Sequence, residues 1–428
     1  MFGKSKLRKA LEQATQPGAN LSDELYALSD YEITSRADAE AICDALVYWS
    51  EQPVTKNEES LLLSTPIHEV AGLFQQVASD KAAQVLHEKG LPILLRRFDR
   101  QLPAHDDAVA DELLFLLKIF ALYPSPPGLE RIVQAARQPL RPESFMWSVI
   151  FGAFTEAHPL HAELIEALRA PLPAEFIGVT YLDLTNRAAH ENQLPHHPFD
   201  TPSGYDQLRG WLIDINEETF SYAVSATANL PWLSQPARDE LLALAQRHPE
   251  LEIQLEAAWA QARAGDRAGI VTLQKHCLTP HLSQKAQHYL TELNAADAVP
   301  PAALAPEFQA MAEMCSWLAH PMELGSAPSE LTQFDTREIY WPPTKDTRRV
   351  WLFKYRYDDS EDLTEESRTG LGMVGSITFA LFGDTTIELS AEDAYALHCC
   401  WELQQLGDKR APVERSIEAG RKLLGFKS

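Results

Sequence analysis

Positive charge is scarce in this 428-residue chain: 37 lysines and arginines face 61 aspartates and glutamates, a formal charge of −24. The deficit runs through the chain, at about −8 for residues 301–428 and about −16 for residues 1–300, counted from the sequence. A general nucleic-acid binder needs a positive footprint for phosphate, so that class is set aside. A basic protein partner, or plain solubility, suits the charge better. Cysteine is sparse as well. Cys43, Cys277, Cys315, Cys399 and Cys400 are odd in number and lack the spacing of metal or redox motifs, which fits a reducing compartment. Long apolar runs are missing too. The longest, Leu113–Leu122, contains Lys118 and is about half of what a bilayer span requires. The N-terminus MFGKSKLRKALEQ is basic but has no apolar stretch behind it, so it does not read as a secretory signal. These absences predict a cytoplasmic protein with no membrane segment.

What is present is apolar periodicity. Apolar residues make up 45% of the chain, enough for two or three cores. Lys4–Ala14 reads as a short amphipathic helix with Leu7, Ala10, Leu11 and Ala14 on one face. Helical stripes recur in Ala37–Ser50, Pro66–Ala78, and Ala82–Lys89 leading through Gly90 and Pro92 into Ile93–Phe98. Asp106–Leu122 is apolar nearly all round and predicts a buried helix, stopped by Tyr123-Pro124-Ser125-Pro126-Pro127-Gly128. From there the helices take up a period. Large apolar anchors fall at Phe145, Phe176, Phe220, Leu251 and Leu282, with one oversized gap that contains the loop from Glu191 to Gly204. The segments PELEIQLEAAWAQARAGD and PHLSQKAQHYLTELNAAD match in length and end at Asp266 and Asp297. Helical hairpins at a fixed period are the mark of an α-solenoid, in which each unit buries its face against the next.

The best-formed unit, Leu255–Gln274, resembles the HEAT-like repeat of bacterial proteins. Gly265-Asp266 matches the turn, Ala257, Ala258 and Ala262 match its small positions, and Ile270 and Leu273 match the second helix. The resemblance extends over roughly residues 140–297. It implies a helical binding scaffold rather than a particular chemistry.

Beyond Ala295–Pro306, rich in alanine and proline, the pattern changes. A helix, Glu307–Leu318, precedes Arg349–Tyr357, which alternates like a strand. Trp351, Phe353, Tyr355 and Tyr357 fall on one face, expected to pack against Trp401 and Leu403, and Leu352, Lys354 and Arg356 fall on the other. An acidic loop, Asp358–Arg368, a strand Met373–Gly383, a short strand Thr385–Leu389 and helices Ala391–Leu406 and Pro412–Leu424 follow. The C-terminal phrases YWPPT, WLFKYRY and DAYALHCCWEL resemble uncharacterised HEAT-repeat proteins of bacteria. The fold expected is mainly α: a HEAT-like helical-repeat solenoid over residues 1–300, then a small α+β domain with an antiparallel sheet over 301–428.

No motif in the chain specifies a reaction. Gly370-Leu371-Gly372-Met373-Val374-Gly375 spells G-x-G-x-x-G, but an acidic loop precedes it and a strand follows, whereas a dinucleotide site needs strand then helix. Glycines that let a strand bend are the better account. His190, His196 and His197 with Glu191 and Asp200 are of metal-ligand type but of no ligand spacing. His68-Glu69, His87-Glu88 and His190-Glu191 resemble the paired steps of the HEAT-like deoxyhypusine hydroxylases, yet their separations do not follow the repeat. Cys399-Cys400 sit mid-helix beside His398 and read as small buried hydrophobes.

The expected function is therefore a non-enzymatic scaffold, without cofactor or metal, that binds a protein partner, possibly a basic one. His196 and His197 in the long loop, and Arg348, Arg349, Lys354 and Arg356 on the strand, are the contact residues expected from sequence. Two alternatives accompany it. One is an enzyme using Arg348, Arg349, Lys354, His398 and the 370–376 loop; the other is a metal-dependent modifying enzyme built on the histidine loop.

Overall fold

In the computed structural model, the residues described are 5–14, 21, 25, 28, 30–51, 65–104, 107–138, 140–216, 220–358, 364 and 367–427. Most of the acidic loop 358–368 and the extreme N-terminus lie outside them. The fold is mainly helical, with one four-stranded antiparallel sheet near the C-terminus. Among the described residues no helix is long and apolar enough to cross a membrane. Contacts divide the chain into two compact units, Met1–Leu241 and Leu242–Ser428. That division falls earlier than the composition change at 295–306.

The first unit is a succession of short helices, and proline starts several of them. Thr65-Pro66, Ser125-Pro126 and Thr201-Pro202 each place a hydroxyl at the N-cap, accepting from the backbone N–H of His68, Gly128 and Gly204, and a proline in the first turn. The proline-rich stretch after Leu122 thus ends one helix and begins another at Pro126. Pro92 lies in the first turn of the helical segment Leu91–Gln101, which continues directly from Asp80–Val85 through a π-helical turn at Leu86–Gly90. The first helix, Lys6–Ala14, buries Leu7, Ala10, Leu11 and Ala14 within the protein.

A buried ion pair ties the early helices together. Arg97 donates to Glu112 at 2.7 and 3.3 Å, and both side chains are almost wholly removed from solvent. Thr65 donates its hydroxyl to Glu112 at 2.6 Å, and Arg97 also reaches the Ser50 carbonyl at 3.2 Å. One cluster therefore fixes the end of Arg36–Ser50, the start of Pro66–Gly72, and helices Leu91–Gln101 and Asp107–Leu122.

Helices begin at Met146, Glu175, Phe220, Leu251 and Pro280, so the periodicity is that of helix starts. The apolar anchors read from sequence do not share one environment: Phe145 and Leu251 are exposed and Leu282 is buried. In the second unit, helices Leu251–Arg263 and Pro280–Glu292 are laced by polar pairs. His281 faces Glu252 at 3.8 Å, Arg263 meets Glu292 at 2.8 Å, and Lys285 pairs with Glu256. Each partner lies 29 residues from the other, the same offset as the two helix starts. Between these helices Gly265 takes a left-handed φ of 95°, and Asp266 caps Arg267–His276 by accepting from Ala268 N–H. A side chain at Gly269 would lie 2.4 Å from the Ala258 carbonyl, so the small residues do set a close helix contact.

The sheet runs β1 (Glu330–Trp341), β2 (Asp346–Arg356), β3 (Thr369–Val374) and β4 (Phe379–Phe382), in that order. Helices cover both faces. Trp351, Phe353, Tyr355 and Tyr357 pack against Ala310, Met314 and Leu318 of helix Pro306–Leu318. Val350, Leu352, Leu371 and Met373 pack against Ala394, Tyr395, Cys399 and Leu403 of helix Ala391–Gln405, with Leu423 and Leu424 of the last helix. This corrects the expectation that the aromatic face meets Trp401 and Leu403. Trp401 instead stacks on Phe379 at 3.7 Å, and Leu403 belongs to the opposite layer. The expected strand Met373–Gly383 is a hairpin, because the chain turns at Gly375–Thr378, where Ser376 donates to Glu402 at 2.7 Å. The expected strand Thr385–Leu389 is a 3-10 turn and bends.

Removing one member of the buried pair strands the other charge. Glu112→Ala or Arg97→Ala should cost about 3–5 kcal/mol, whereas Arg97→Met with Glu112→Leu should regain most of it. Urea unfolding measures both; single variants within ~1 kcal/mol of the parent would refute the lock.

Candidate functional site

The expected contact residues fall in both units, His196 and His197 in the first and Arg348, Arg349, Lys354 and Arg356 in the second. His197 is 4% exposed. Its ring lies 3.0–3.1 Å from the Asn229 amide nitrogen, which also donates to Asn186, and Asn186 donates to the Ser225 carbonyl. The Phe199 N–H donates to its Nδ1 at 3.2 Å. Burial pushes the imidazole pKa down to about 3, against a smaller upward pull from Asp200. His197 is thus a core residue and, as folded, is not offered to a partner; its neighbour His196 is exposed. Phe199 is fully buried beside it, and Asp200 accepts from Ser234 and Tyr205. The long loop is a plug in the helical core.

The strand cations are engaged by their own neighbours. Arg348 is forked onto Asp346 at 2.8–3.0 Å, and Arg356 meets Asp358 at 2.7 Å and Glu330 at 3.3 Å. Arg349 lies 3.9 Å from Glu307, and the Lys354 ammonium sits 4.4 Å above the Phe334 ring. His398 is sealed inside with Phe379 edge-on at 5.7 Å, and neither ring nitrogen has a hydrogen-bond partner. The alternative enzyme site therefore does not converge. All five cysteines are buried, and burial raises each thiol, Cys399 to about 12. Among the described residues no three His, Cys, Asp or Glu side chains come together as a metal-holding group.

The glycine motif is explained by packing. Gly372 lies opposite Phe353 and Gly370 opposite Tyr355. A β-carbon at Gly372 would fall 2.2 Å from the Met314 sulfur, and one at Gly370 would fall 2.1 Å from the Leu381 carbonyl and 2.4 Å from the Tyr355 hydroxyl. The missing side chains make room for the aromatic layer.

A different set of residues does converge, in the first unit. Phe176 from helix Glu175–His190, Trp211 from Pro202–Ile213 and Tyr222 from Phe220–Asn229 line a cavity of about 530 Å³ with Pro142, Gln207 and three carboxylates, Glu143, Glu175 and Asp214. Phe176 and Tyr222 are stacked, with ring centres 6.3 Å apart and 29° between planes; Trp211 stands nearly perpendicular to Tyr222, at 6.0 Å and 78°. All three rings are half-buried, while Glu143, Glu175 and Asp214 are exposed at the rim. Burial raises the Tyr222 phenol above its ordinary range, and the negative charge of Glu175 adds to this.

The connection 171–174 is clamped against the helices that carry these rings. Gln207 donates to the Pro173 carbonyl at 2.7 Å, and a β-carbon at Gly178 would lie 2.5 Å from that same oxygen. Glu175 has a φ of 52°, rare for a residue with a side chain. Half-buried aromatic rings with exposed carboxylates beside them are chemically suited to an organic cation. Sequence reasoning took Phe176 only as a repeat anchor. The six residues come from four stretches between 143 and 222, with Glu175 beside Phe176 and Asp214 capping the helix of Trp211, so no single local spacing announces them.

His197 and His398 make opposite predictions. Both have folded pKa values of about 3 against an ordinary 6.5. Between those limits the unfolded chain takes up protons that the folded chain refuses, so stability falls as pH drops from 6.5 towards 3. His398→Leu should flatten that slope and leave stability at pH 7 unchanged or higher, because it deletes unpartnered polar atoms. His197→Leu should cost about 1–3 kcal/mol at pH 7 through its orphaned partners. Denaturant titrations at pH 4.5 and pH 7 decide; an unchanged slope in His398→Leu would contradict this account.

The chain matches no protein-family model and no curated protein.

Proposed function

We propose that this chain is a HEAT-like binding scaffold, acting in the cytoplasm, that captures a basic segment of a protein partner. The observation that carries this reading is the pocket of Phe176, Trp211 and Tyr222 rimmed by Glu143, Glu175 and Asp214. A formal charge of −24 supports it, since an acidic surface steers a cationic partner inward and repels acidic competitors. The strand cations support it from the other side: Arg348 and Arg356 are already matched to carboxylates of the same chain.

Binding of this kind is salt-sensitive. Lysine- and arginine-containing peptides should bind the full chain in preference to neutral ones, and the preference should fade as ionic strength rises. Replacing the rim together, as Glu143→Gln, Glu175→Gln and Asp214→Asn, should weaken basic peptides by about tenfold, at roughly 0.5 kcal/mol for each exposed charge. Fluorescence anisotropy with labelled peptides measures this; equal affinity for basic and neutral peptides would defeat the proposal.

A further inference from the structure

We propose that the aromatic pocket of the first unit is a receptor for a single arginine side chain, an inference that rests on the reading of the protein as a binder of basic segments. Phe176 and Tyr222 stack with ring centres 6.3 Å apart, and Trp211 meets Tyr222 nearly at right angles, all three lining the pocket. The result is a wall of aromatic carbon rather than a ring of charges. A cation entering the pocket exchanges water for aromatic carbon, which disfavours the compact, strongly hydrated lysine ammonium and suits the weakly hydrated guanidinium.

The rim decides between guanidinium and the other weakly hydrated cation, a quaternary ammonium. Glu143, Glu175 and Asp214 border the aromatic wall and come from three separate segments. A trimethylated ammonium has no N–H to give them and would meet these oxygens only by long-range attraction. A guanidinium stacks its plane on a ring and points its N–H groups outward from the edge, so it uses both parts of the site at once. Two rim carboxylates already have partners that an entering guanidinium would share: Glu143 lies 4.0 Å from Arg141, and one oxygen of Asp214 accepts from the Asn216 N–H at 3.1 Å. The Gln207 amide is held by the Pro173 carbonyl.

The volume, about 530 Å³, falls within the roughly 300–1,000 Å³ of pockets that enclose small ligands. The setting extends the site beyond one side chain. Phe145, 69% exposed, is two residues from Glu143, and the exposed Ile213 and Ile215 flank Asp214 in sequence. They offer apolar contact to residues on either side of the arginine. The occupant is therefore an arginine within a peptide segment that also carries apolar side chains.

The test uses the full-length protein and acetylated, amidated pentapeptides that differ only at the central residue: arginine, lysine, trimethyl-lysine or citrulline. Calorimetry at one ionic strength should rank arginine about tenfold above lysine, with trimethyl-lysine between them and neutral citrulline weakest. Trp211→Ala and Tyr222→Ala should each weaken the arginine peptide about tenfold and erase its advantage over lysine, whereas Tyr222→Phe should retain it. Thermal melts establish whether the variants fold; if one does not, the ranking on the parent protein and Tyr222→Phe still decide. Equal binding of arginine and lysine, or tightest binding of trimethyl-lysine, overturns the arginine assignment and leaves the basic-segment reading standing. Binding of none of the cationic peptides overturns both.

Discussion

A short helix cannot bury its own apolar stripe, and most of this protein follows from that. Helices such as Pro66–Gly72, Met146–Gly152 and His161–Leu168 are only two turns long, and each is held by its neighbours rather than by its own propensity. Stacking creates seams, and polar groups trapped in a seam must be satisfied there. Arg97 with Glu112 settles one seam, and Asn186, Asn229 and His197 settle another. Where a seam stays open, as between Phe176, Trp211 and Tyr222, the side chains that would have formed core become the lining of a pocket.

The sheet obeys a related rule. With helices on both faces, β2 has no polar side: Val350 and Leu352 serve one core, Phe353 and Tyr355 the other. Its arginines lie towards the strand ends, where acidic neighbours meet them, and Lys354 sits over the Phe334 ring. Two layers of aromatic and aliphatic bulk also leave little room at β3, and glycine at 370 and 372 relieves it. Buried polar atoms are used sparingly here. Glu402 accepts from the Trp341 indole at 2.8 Å and from Ser376, and so joins β1 to the turn before β4.

Fold class was legible because periodicity survives in one dimension. The helical stripes, the Gly265-Asp266 turn and the alternation of Arg349–Tyr357 all report local geometry, and each appears where its pattern places it. What sequence does not carry is which face meets which neighbour. The aromatic stripe of β2 announces burial, but nothing local says that helix Pro306–Leu318 covers it rather than Ala391–Gln405. Strand β1 leaves no clear pattern because ELTQFDTREIYW is an edge: its charges answer to solvent and its register slips between Gln333 and Asp335, so alternation is blurred. Met373–Gly383 reads as one strand because its turn holds a single glycine and no proline. His197 illustrates the same limit. A histidine in a polar, proline-rich loop looks exposed, and only the depth of Phe199 shows that the loop turns inward. The pocket was the least legible feature, since its rings reach one another only through three helix packings.

The inward turn of that loop also bears on how such a chain can change length. A tandem array lengthens or shortens by whole hairpins, because each joint is alike and a cut at one resembles a cut at any other. Residues 197–200 break that equivalence. Phe199 fills space among helices that precede and follow it, and Asp200 accepts hydrogen bonds from Tyr205 and Ser234. The hairpins around it cannot be excised or duplicated singly without leaving a hole or an extra ring. The segment works as a keystone that makes this stretch of helices a fixed block.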